Sequence, residues 1–160
     1  MLKTLVLVPT EMEREALLRS GPLEAEVQLC GFGVALAGIR TAVGIHEHHP
    51  NRVILAGIAG TYDASRAPLG SCFSPHWVTL SGVGVGEGAG YRSASVLGFP
   101  LWPGDANSGA IGERLPLAIP HKSGEIGLLT VCAASMDREQ AQERSEAINN
   151  LFEYSFDEWN

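Results

Sequence analysis

Four short stretches of this 160-residue sequence carry side-chain types and spacings suited to small-molecule chemistry. In Thr10-Glu11-Met12-Glu13 a hydroxyl and a carboxylate stand three residues apart, the spacing of a helix-capping box. Glu13 can act there as a cap alone, or it can face a ligand from the helix start. Gly31-Phe32-Gly33 and Gly57-Ile58-Ala59-Gly60 are glycine turns that can serve tight packing, or can bring backbone N–H groups close to ribose or an anion. Val131-Cys132-Ala133-Ala134 closes an apolar run. Cys132 has no basic neighbour in the sequence, so a buried, inert thiol is expected rather than a nucleophile. His46, His48 and His49 beside Glu47 look like metal ligands, yet adjacent histidines at a helix end more commonly stay solvated and complement its negative pole. No metal is expected.

The elements that must hold these stretches are legible from hydrophobic patterning. Thr4 to Val8 is a β-branched apolar run of the kind buried on both faces of a parallel sheet. The Thr10 box opens a helix in which Met12, Ala16 and Leu17 recur at helical spacing as far as Ser20-Gly21-Pro22. A second strand, about Glu26 to Cys30, leads into a helix whose Leu36, Ile39, Ala42 and Val43 share a face, ending before Pro50. Val53 to Gly57 is a third buried strand. Pro68 to Leu80 reads as a strand broken at Pro75, and Gly82 to Pro120 as a long irregular segment of the kind that forms functional loops or lids. Ile126 to Ala134 is a further strand, followed by a polar helix from about Met136 to Asn149 that Ser135 caps. Ligands of such sheets bind beyond the carboxyl ends of parallel strands, where all four stretches fall.

Composition narrows the classes further. With 45% apolar and 18% charged residues, one globular domain with a sizeable core is expected. Eleven Lys and Arg against 18 Asp and Glu, without a basic cluster, disfavour nucleic acid or an anionic membrane as partner. Cys30, Cys72 and Cys132 show no CxxC spacing and sit in or beside apolar runs, which suits a reducing cytoplasm. Pro9 and four acids between Glu11 and Glu24 interrupt the N-terminal apolar run too early for a signal peptide, and no stretch has membrane-spanning length. Gly31, Gly33 and Gly38 miss the dinucleotide fingerprint, which needs a glycine where Leu36 stands. No P-loop lysine is present either.

Taken in order, Val8-Pro9-Thr10-Glu11-Met12-Glu13, Gly31-Phe32-Gly33, and Val53 to Gly60 before Ala67-Pro68-Leu69-Gly70 resemble the nucleoside phosphorylase and nucleosidase superfamily over about residues 4 to 134. Gly82 to Pro100, ending Leu97-Gly98-Phe99-Pro100, is most similar to futalosine hydrolase, a menaquinone-biosynthesis relative of methylthioadenosine/adenosylhomocysteine nucleosidase. The resemblance implies a three-layer α/β sandwich around a mixed, mainly parallel sheet, and hydrolysis of a purine nucleoside's N-glycosidic bond without a cofactor. It implies Glu13 as the carboxylate that positions or activates water; matching Glu15-Ala16-Leu17-Leu18 instead leaves Glu15 as the alternative. Gly33, Ala59, Gly60, Val131 and Cys132 would line the substrate. In place of the family's Met-Glu-Gly stands Tyr154-Ser155-Phe156-Asp157-Glu158-Trp159, so Phe156 and Asp157, or else Glu158, would meet the ribose. Family members continue with a strand bearing an acid or amide that meets the leaving base and with a closing helix, so the resemblance implies a domain lacking both. A non-catalytic nucleoside-binding or structural homologue is the alternative. A phosphorylase is a third reading, disfavoured because Arg14 and Arg66 lie beyond the turns where phosphate would sit. The tail aromatics Phe152, Tyr154, Phe156 and Trp159 suggest a docking segment, and with it a homodimer or larger homo-oligomer.

Overall fold

The apolar run near the N-terminus becomes the middle strand of a parallel sheet in the computed structural model of this chain. Strand β1 (Thr4–Val8) lies between β2 (Glu26–Leu29) and β3 (Arg52–Leu55), with Leu5 in register with both Glu26 and Val53. The structure describes residues 3–62, 64–65, 67–118, 126–137 and 139–142. It divides into two compact units, Met1–Gly60 and Thr61–Asn160. Among the described residues no helix is long and apolar enough to cross a membrane.

In the first unit β1 carries the core, whereas β3, expected to be buried, is exposed throughout because it lies at the edge of the sheet and pairs only with β1 among the described strands. Alternation along a strand sends Leu5 and Leu7 to one face and Val6 and Val8 to the other, and all four are buried. Leu5, Leu7 and Cys30 cluster with Ala37 of helix α2 (Val34–His48). Leu5 and Leu7 each contribute roughly 1.5–3 kcal/mol by leaving water. Helix α1 (Glu11–Arg19) connects β1 to β2. The ladders run one residue past the strand ends, Cys30 N–H donating to Val8 C=O and Ala56 N–H to Leu7 C=O, both at 2.9 Å. The turns after all three strands therefore leave from the same edge of the sheet.

Two helical faces differ from the sequence expectation. Along α2 the buried or half-buried residues are Ala37, Thr41, Val43, Gly44 and His48, so of the expected face only Val43 is covered, whereas Leu36, Ile39 and Ala42 are exposed. The helix sits so close to the sheet that a Cβ at Gly44 would lie 3.2 Å from Leu5 Cδ2. Where α2 comes closest to the sheet, at Gly44, there is no room for a side chain, so the buried stripe only partly follows the most apolar positions. On α1 Glu13, Arg14 and Leu17 are half-buried, while Met12 and Ala16 of the expected face are exposed. The end of α2 agrees with the expected stop: His49 takes the left-handed conformation, φ 45°, and its N–H closes on Ile45 C=O at 2.9 Å.

The second unit holds a mixed sheet in which β4 (Trp77–Leu80) pairs antiparallel with β7 (Arg114–Pro116) and parallel with β8 (Gly127–Thr130). The expected strand from Pro68 is only its last four residues. Ser71 N–H turns back to Pro68 C=O at 3.1 Å across Gly70, whose φ is +81°, and neither Pro68 nor Pro75 can donate to a ladder. Trp77 lies over Gly127, where any Cβ would strike its indole, and Arg114 stacks on the ring with Cζ 3.9 Å from the centroid. The glycine-rich segment is partly ordered. Strands β5 (Gly84–Val85) and β6 (Arg92–Ser93) form a hairpin whose Gly84 faces the Arg92 carbonyl with no room for a side chain. Tyr91 Oη donates to Val83 C=O at 2.9 Å, and Trp102 bridges Ile111.

The expected strand from Ile126 stops at Thr130. Cys132 is exposed, not buried, because it stands beyond the last ladder residue. Helical backbone at 139–142 is capped by Asp137, whose Oδ1 accepts from Gln140 N–H at 2.9 Å, and not by Ser135, whose hydroxyl is buried without a partner. Cys72 is exposed as well, so of the three free thiols only Cys30 behaves as a core residue. The remainder of that expected helix and the aromatic tail lie outside the described residues.

Candidate functional site

Glu13 is the centre of the carboxyl edge of the parallel sheet. Thr10 caps α1 in extended conformation, φ −129° and ψ 158°, and its hydroxyl accepts from Glu13 N–H at 3.3 Å. A capping-box glutamate ordinarily reaches back to the cap's own N–H. Here Glu13 does something else: Oε2 accepts from the Thr10 hydroxyl at 2.5 Å, and Oε1 accepts from Ile58 N–H at 2.8 Å. One carboxylate thus ties the start of α1 to the turn after β3.

Gly57 makes that contact sterically possible. A Cβ on it would lie 3.1 Å from Glu13 Oε1 and 3.3 Å from the Pro9 ring, so the carboxylate rests against bare backbone. Ala59 and Gly60 follow Ile58 in the exposed turn, and the space around Gly60 is open. Each carboxylate oxygen has a second acceptor position, so Glu13 keeps capacity for a water or a ligand hydroxyl. Glu15, the alternative, is exposed on α1.

The turn after β2 leaves from the same end of the sheet. Gly31 and Gly33 adopt φ +83° and +91°, and a Cβ at Gly31 would stand 2.7 Å from Leu36 Cδ2. Only glycine serves both demands at position 31. Gly33 is the N-cap of α2 and offers no side chain to its first N–H groups, and no acid occupies the first turn. That helix start is electrostatically suited to an oxygen-rich ligand. Phe32 between the glycines is largely exposed. Beneath the turn, burial pushes the Cys30 thiol up from its ordinary range, and the Glu13 charge adds to the shift.

The remaining expected site residues are distributed as follows. Glu13, Gly33, Ala59 and Gly60 belong to the first unit, all at the carboxyl edge of its sheet; Val131 and Cys132 belong to the second, just past β8. Phe156, Asp157, Glu158 and Arg66 lie outside the described residues. His48 is half-buried and makes a ring hydrogen bond to Gln28 of β2, which accounts for it structurally. Among the described residues no group of three or more His, Cys, Asp or Glu side chains is placed to hold a metal. Arg14 gives Nε and Nη2 to the Glu11 carboxylate. What the sequence reading missed is Ile58 as a donor: a backbone N–H has no side-chain signature, and the glycine before it is the only local sign.

No protein-family model, no curated protein and no solved structure matches this chain.

Proposed function

We propose that the chain is a purine nucleosidase resembling futalosine hydrolase, with Glu13 positioning the attacking water. The observation that carries this reading is the placement of Glu13: a half-buried carboxylate, fixed by two donors at the carboxyl edge of a parallel sheet, beside a glycine turn with open space. Such an acceptor orients a water and takes up its developing positive charge as the sugar is attacked. Within the first unit, the exposed Ala59-Gly60 turn and the uncapped start of α2 would receive ribose. Hydrolysis is favoured over phosphorolysis because Arg14, the described arginine nearest Glu13 in the chain, has its guanidinium committed to Glu11.

A three-layer sandwich accompanies this reading. The crossover from β1 to β2 and that from β2 to β3 run in opposite directions across the sheet, and one right-handed rule would put α1 and α2 on opposite faces. Burial of β1 on both faces supports it. The free thiols fit a reducing cytoplasm, and exposed Leu36, Ile39 and Leu55 fit a homo-oligomer.

The non-catalytic alternative draws on the same carboxylate, since both oxygens already hold partners within the chain, as in a purely structural staple. The test is base release from futalosine, methylthioadenosine and inosine, followed by chromatography. Glu13→Gln is expected to remove nearly all turnover with little change in melting temperature, and Glu15→Gln to do much less. Wild-type release equal to buffer for all three nucleosides, with saturable binding, would establish the binding protein instead.

A further inference from the structure

We propose that Thr10 is a positioning residue that acts through Glu13: its hydroxyl holds Oε2 so that Oε1 stays on the Ile58 N–H and the carboxylate cannot turn. The distances decide between this role and simple capping. The capping contact, Glu13 N–H to Thr10 Oγ1, is long at 3.3 Å, beyond the usual N–H···O range of 2.7–3.2 Å. The contact in the other direction, Thr10 Oγ1 to Glu13 Oε2, is 2.5 Å, at the short end for a hydroxyl donating to a charged oxygen. The hydroxyl's principal partner is therefore the carboxylate.

Two donors on two oxygens fix a carboxylate plane, whereas one donor leaves its terminal torsion soft. The donors come from different parts of the unit, Thr10 from the β1–α1 turn and Ile58 from the turn after β3. The Gly57 backbone bounds the Oε1 side of the carboxylate, and the two hydrogen bonds fix its plane there. A water on the remaining lone pairs is then held at a defined point before the Ala59-Gly60 turn. This consequence rests on the nucleosidase reading, but the geometry of the relay does not.

Thr10→Val removes the hydroxyl at nearly constant volume, Thr10→Ser keeps it, and Thr10→Gly removes it while remaining an acceptable helix cap should the valine variant fail to fold. Two readouts are taken on the full chain. In ¹H–¹⁵N spectra the Ile58 amide is expected to move upfield and exchange faster in the valine and glycine variants, and to stay at its wild-type position in the serine variant. In the base-release assay kcat is expected to fall about 10- to 100-fold with KM little changed, since misplacement of a reacting group acts on the chemical step. Serine should restore kcat.

An Ile58 amide that stays in place in all three variants would overturn the proposal and leave Thr10 as a cap. Unchanged kcat in the folded valine or glycine variant would do the same. If the wild type releases no base, the nucleosidase reading fails by itself, and the amide comparison still decides the role of Thr10.

Discussion

Cys30 is where packing and charge act on one thiol. It is buried beneath the Gly31 turn, and burial first, then the Glu13 carboxylate, hold its proton above the ordinary value of 9.0. In the unfolded chain the same thiol ionises at the lower, ordinary value. The fold's advantage from this group is complete below about pH 9 and is lost as the pH rises above it. Urea midpoints of wild type measured between about pH 8 and pH 10 should therefore fall, and those of Cys30→Ala should fall less steeply. Exposure makes a parallel prediction for the other thiols: Cys72 and Cys132 should react with a thiol reagent in the native protein, and Cys30 only on unfolding, as mass spectrometry of the labelled chain would show. The burial expected for Cys132 failed because a strand's apolar run was read four residues too far. The capping spacing of Thr10 and Glu13 was legible because it is local. The partner Ile58, 45 residues on, was not.

At the scale of elements, α2 shows how a small-residue stripe is hidden from hydrophobic pattern reading. Leu36, Ile39, Ala42 and Val43 are the most apolar face, yet of these only Val43 is half-buried, alongside Ala37, Thr41, Gly44 and His48. Close approach selects for size before hydrophobicity. Gly44→Leu is therefore expected to cost about 1–3 kcal/mol by overpacking against Leu5 and Gln28. Gly38, in the same helix, has open space around its α-carbon, so Gly38→Ala should stabilise by up to about 1 kcal/mol. Urea denaturation of both variants checks the pair, and equal effects would disprove the packing argument. The strands β1, β2 and β3 were readable as strands because each ends at a cap or a glycine turn, but the burial expected of β3 failed: its apolar run is an edge that pairs only with β1 among the described strands and stays exposed. In the second unit, β4 pairs with β7 and β8 across long stretches, Val78 opposite Leu115 and Leu128, and no local pattern announces such partners. Two prolines and the Gly70 turn removed most of the strand expected before Trp77.

For the molecule as a whole, much apolar surface stays in contact with solvent. Leu36 and Ile39 on α2, and Val53, Ile54 and Leu55 on β3, are all exposed, and β3 pairs only with β1 among the described strands. A parallel strand with an open apolar edge is ordinarily covered. Self-association is the expected outcome, and sedimentation equilibrium should return a mass at least twice 17.0 kDa at micromolar concentration. Leu55→Lys should shift that equilibrium toward the monomer by placing charge on the open edge. A wild type that sediments as a monomer would remove the oligomer from the proposal.

The Glu13 carboxylate also has a history in folding time. Its bond to Thr10 spans three residues and can form as soon as α1 nucleates, whereas its bond to Ile58 spans 45 and must wait for β3 to reach β1. Closing that long loop costs chain entropy before any contact returns it. One side chain is therefore expected to report an early and a late event. Substitutions at Thr10 should register in the rate of folding, and Gly57→Ala chiefly in the rate of unfolding. On this ordering the proposed active site is among the last things the first unit completes, so a partly folded chain would possess the helix and its carboxylate but no means of aiming it.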